Sequence, residues 1–161
     1  MMHSLLGLHP CVFTLPLVTR LREEGLITDV DVIRIATQRE NAGLNSSPIE
    51  HDLSLLLEAQ QAEVRDLLRH DGGEQALTDD DKSAYLWIRL ALLRSQVASL
   101  GDYQFYFEDL LDEYDQGNDY ADMRFFRQDV SGRRTMNMYL RRIDTCLSTA
   151  RDAINRAAAD N

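Results

Sequence analysis

The sequence predicts an all-α fold: a single-domain bundle of six or seven helices around a central apolar helix at about residues 79–100, closed by a long C-terminal helix with a heptad seam. Three observations carry this expectation. Ser or Thr followed three residues later by an acid recurs ahead of apolar runs, those runs space their apolar residues by three and four, and glycines stand where the runs stop.

Taken in order, residues 1–13 read as an apolar N-terminal strap over the core, because exposed apolar patches are unusual in monomers. No Lys or Arg precedes this run, Pro10 and Pro16 interrupt it, and no small-x-small site follows, so a signal peptide is not expected. A helix from Thr14 to Glu24 ends at Gly25. The next segment, Thr28 to Gly43, contains Val30, Val32, Ile33 and Ile35, which are β-branched and partly alternate, so a short strand is the competing assignment. Thr28 with Asp31 forms a capping box and no strand partner is visible, which favours helix. Ser47-Pro48-Ile49-Glu50 is a second capping box with Pro where no amide partner is needed. It opens a helix expected from Pro48 to His70, with Leu53, Leu56, Leu57, Gln60, Val64, Leu67 and Leu68 on one stripe, ending at Gly72-Gly73.

Thr78 caps a first turn of Asp79, Asp80 and Asp81, acids suited to the positive end of the helix dipole. The helix that follows is apolar nearly all round from Tyr85 to Ala98, the pattern of an element contacted on several sides. Beyond Gly101, helices are expected over Asp102 to Gln116, Asp119 to Gln128 and Gly132 to Ala158. The last carries Met136, Leu140, Ile143, Leu147, Ala150, Ile154 and Ala157 at alternating spacings of four and three, a seam that packs along one straight partner. That partner is another long helix of the same domain in a monomer, or the same helix of a second copy in a homodimer.

Composition bounds the function. With 161 residues, 44% apolar and 27% charged, the chain suits one globular domain with a full core. The net charge of −10 opposes direct binding of nucleic acid or of an anionic membrane, both of which need cations. Every cation except Lys82 is Arg, a skew that reads as the codon usage of a GC-rich genome, bacterial or phage. Cys11 and Cys146 lie far apart in the chain without metal-ligand spacing, as expected of reduced, core-lining thiols in a cytoplasmic protein. No stretch is long and apolar enough to suggest a membrane span.

The chain carries few motifs of catalytic chemistry. There is no GK[ST] phosphate loop, no Glu-x-x-His pair for a di-iron centre and no Gly-x-Ser-x-Gly elbow. Glu63, Asp66 and His70 share one helical face, an arrangement more often a solvated surface than a zinc site. No cofactor or metal is expected. Arg65-Asp66-Leu67-Leu68-Arg69-His70 resembles the Arg, polar residue, His pattern of the HEPN ribonucleases. The resemblance implies a helical bundle that cleaves RNA without metal, with Arg65 and His70 as its catalytic residues, and this is the enzyme alternative. Gly25-Leu26-Ile27-Thr28 to Gly43 resembles half of the helical repeat at the N-terminus of type II secretion and type IV pilus ATPases. The Arg-Leu-Gly-type element that those domains use for a cyclic dinucleotide is replaced here by Pro16-Leu17-Val18.

The strongest local signal is acidic and aromatic. Asp102, Glu108, Asp109, Asp112, Glu113, Asp115, Asp119 and Asp122 fall in one stretch without a single Lys or Arg, and eight of the twelve aromatic residues lie between Tyr103 and Phe126. Tyr103, Tyr106, Phe107, Leu110, Leu111 and Tyr114 share one helical face and account for a core stripe. Phe105 points the other way, among Glu108, Asp109 and Asp112, so it either tucks into the fold or forms an apolar anchor ringed by carboxylates. The second reading makes Phe105, Glu108, Asp109, Asp112, Glu113, Asp115, Asp119, Tyr120 and Asp122 a docking surface for a basic protein, such as a nucleic-acid-handling enzyme or a toxin. The expected function is a small, non-enzymatic regulator or inhibitor of the adaptor, immunity or nucleic-acid-mimic type.

Overall fold

The computed structural model describes residues 6–69, 75–96, 107, 109–113, 120 and 133–160. It is an all-α helical bundle, with no strand among the described residues. A 3-10 turn at Pro10–Val12 leads into α1 (Leu15–Glu23), α2 (Asp29–Asn41), α3 (Pro48–Leu55), a 3-10 stretch (Glu58–Glu63), α4 (Val64–Arg69), α5 (Asp79–Gln96) and α6 (Arg133–Ala159).

Each described start follows from its cap. The Thr14 hydroxyl accepts from the Leu17 amide at 3.4 Å and donates to Asp81 Oδ1 at 2.6 Å, so one side chain both starts α1 and ties it to the first turn of α5. Thr28 and Asp31 form the reciprocal capping box of α2, and the β-branched run inside it is helical, with Val32, Ile33 and Ile35 buried. Two glycines, Gly25 at φ +70° and Gly43 at φ +68°, take the left-handed conformation that ends α1 and α2. The ion pair Arg22 to Asp29, 2.6 Å, spans the turn between these helices.

The third element departs from expectation. Rather than one helix from Pro48 to His70, α3 ends at Leu55, Leu56 is extended at φ −70°, ψ 140°, and a 3-10 stretch intervenes before α4. The physical reason is the neighbour. Elements α3, the 3-10 stretch and α4 all pack on α2, and a chain that bends at Leu56 wraps Leu53, Val64 and Leu68 over it, where a straight helix would diverge. Side chains hold the bend: Gln60 Oε1 accepts from the Leu57 amide at 3.0 Å, and Arg34 on α2 reaches Glu58 at 2.8 Å. Leu57, expected on the apolar stripe, is instead 69% exposed, and Leu55 is 65% exposed.

Every residue of α5 from Ala84 to Ile88 is buried, more than a full turn enclosed on all sides. Helix α6 runs antiparallel to it: the Trp87 indole donates to the Leu147 carbonyl at 2.7 Å, while Arg94, further along α5, pairs with the earlier Asp144 at 2.8 Å. Along the expected seam Ile143 and Leu147 are buried, Leu140, Ala150 and Ile154 are half-buried, and Ala157 is exposed.

The N-terminal segment closes the fold against α6 and α2. The Asn155 carboxamide clamps its backbone, accepting from the His9 amide at 2.9 Å and donating to the Gly7 carbonyl at 3.1 Å. Leu8, Val12 and Phe13 are buried in the common core. From the other side Arg39 donates to the Pro10 carbonyl at 3.0 Å and the Leu44 carbonyl at 3.1 Å, and pairs with Glu50 at 3.1 Å. No helix among the described residues is long and apolar enough to cross a membrane.

Candidate functional site

Within the acidic and aromatic stretch the described residues are Phe107, Asp109 to Glu113 and Tyr120, of which Phe107 and 109–113 are helical. Phe107, Leu110 and Leu111 are buried, while Asp109, Asp112 and Glu113 are exposed. At about 100° per residue the two sets occupy opposite faces, so the apolar stripe that anchors this helix necessarily turns the carboxylates outward. Among the described residues neither Asp109 nor Glu113 has a hydrogen-bond or ion-pair partner. Both are exposed carboxylates without a direct partner among the described residues, Glu113 in a groove that Arg141 and Arg142 also line.

Tyr120 is corrected. Expected on the docking surface, it is only 4% exposed, because its ring removes more apolar area from water in the core than a rim position would allow. Phe105, Glu108, Asp115, Asp119 and Asp122 lie outside the described residues. So does His70 of the ribonuclease alternative; its companion Arg65 is exposed on α4. The described structure thus brings together three of the nine expected surface residues on one face, and it takes one into the interior.

Two further features were not legible as sites in the sequence. The first is an open groove between the N-terminal 3-10 turn, the start of α5 and one face of α6. Glu113 lines it together with Asp79 and Asp80, and Arg141 and Arg142 line it as well. In the chain, Asp79 to Asp81 register only as a helix start, and nothing in their spacing announces that Glu113 comes to the same groove. Cys11 and Cys146 are both half-buried on its wall, and neither is in a disulfide among the described residues.

The second is a cluster where α1 meets α5. The Tyr85 hydroxyl donates to Glu24 and accepts from Arg89 Nη1 at 2.7 Å, Arg89 also lies over the Tyr85 ring at 5.7 Å, and Arg20 pairs with Glu24 at 2.6 Å. Burial, helped by the hydrogen bond to Glu24 and opposed by Arg89, pushes the phenol up to about 12. A phenol held neutral in this way is a strut between helices and a poor nucleophile or base at neutral pH. No group of three or more His, Cys, Asp or Glu side chains suited to a metal ion occurs among the described residues.

Comparison with protein-family models, curated proteins and solved structures finds no match for this chain.

Proposed function

We propose that this protein is a small, non-enzymatic regulator or inhibitor that docks a basic partner protein through the acidic face carrying Asp109, Asp112 and Glu113. The observation that supports this reading is the segregation of charge. Eight carboxylates and no cation fall between Asp102 and Asp122, in a chain whose net charge is −10, and those described on its helical face are exposed. Of the cations on α6, Arg151 lies 3.5 Å from Asp152 of its own helix. Such a surface favours encounter with a cationic partner and discriminates against acidic ones. A protein whose own groove handles nucleic acid is the kind of partner it suits, because carboxylates on one helical face can occupy positions that phosphates would take. The function needs no cofactor.

Reversing Asp109→Lys and Glu113→Lys together tests the proposal, since neither side chain has an internal partner among the described residues. Wild-type and reversed proteins are used as bait in host extract at low and at high salt. The expected result is a basic partner retained by wild type at low salt, released at high salt, and absent from the reversed protein. A partner held equally by both forms, or one that is acidic, overturns the reading.

A further inference from the structure

We draw no further inference here: the strongest candidate, the open groove bounded by the N-terminal 3-10 turn, the first turn of α5 and one face of α6, carries guanidinium groups and carboxylates together on its lining, so charge selects no occupant and nothing in the structure shows what covers it.

Discussion

Glu50 shows how much a single capping residue does in this fold. The residue is 8% exposed, and its carboxylate accepts from the amides of Ser46 at 3.0 Å and Ser47 at 2.9 Å and pairs with Arg39, which in turn holds the Pro10 carbonyl. Burial pushes this carboxyl up, yet the two amides, the Ser47 hydroxyl and the Arg39 guanidinium together hold it below its ordinary value of 4.5. A depressed carboxyl contributes stability that is fully present above its unfolded pKa and is lost as pH falls through the folded one. Glu50→Gln is therefore expected to cost about 3 kcal/mol near neutral pH, the low end for breaking a buried pair. Urea denaturation across pH should show the gap to wild type shrinking below about pH 4.5, and a gap unchanged at acidic pH would mean that the charge is not its source. The cap itself was legible from Ser47 and Glu50 alone, because a capping box is a local pattern. Its link to Arg39 and Pro10 was not, because that depends on where two distant segments meet. Tyr120 illustrates the same boundary: an aromatic among acids reads equally well as an anchor or as core, and packing decides.

At the scale of elements, the starts were legible and one interior was not. Thr14, Thr28, Ser47 and Thr78 each begin a helix where their side chains satisfy free amides, and the β-branched run of α2 becomes helix because its cap outweighs a modest strand preference. The break at Leu56 has neither Pro nor Gly to mark it. It arises because the segment gains more by curving around α2 than by remaining straight, a tertiary effect with no local signature. The consequence is measurable. A continuous helix would bury Leu57, and its loss would then cost as much as that of Leu53. With the break in place, Leu57→Ala is expected to change stability by no more than about 0.5 kcal/mol, whereas Leu53→Ala, at a position 1% exposed, costs roughly 2–5 kcal/mol. Equal losses for the two in chemical denaturation would contradict the bend.

For the whole molecule, helical content and the packing of the long C-terminal helix along another long helix follow from periodic patterns that extend over many residues, whereas the antiparallel direction of α6 on α5 is set by tertiary contacts. The site was only partly legible, because one sequence reports how charge is distributed along the chain and not which distant charges share a surface, as Glu113 and Asp79 do. Global charge also separates the two functional classes. A net −10 disfavours RNA, so neither wild type nor His70→Ala is expected to cleave it in a ribonuclease assay; cleavage by wild type that is lost with His70→Ala would replace the docking reading with the HEPN-like one. The same charge makes a claim about stability. Carboxylates concentrated for a partner repel one another in the free protein, so a surface kept for binding should be worse than neutral for folding. Asp109→Lys with Glu113→Lys is accordingly expected to leave the protein as stable as wild type or slightly more so at low salt, by at most about 1 kcal/mol, with the difference vanishing at high salt as screening removes the repulsion. Thermal unfolding at two ionic strengths reads this directly. Loss of partner binding together with unchanged or raised stability marks side chains retained for an interaction, whereas a marked loss of stability at both salt concentrations would mean that these carboxylates serve the fold.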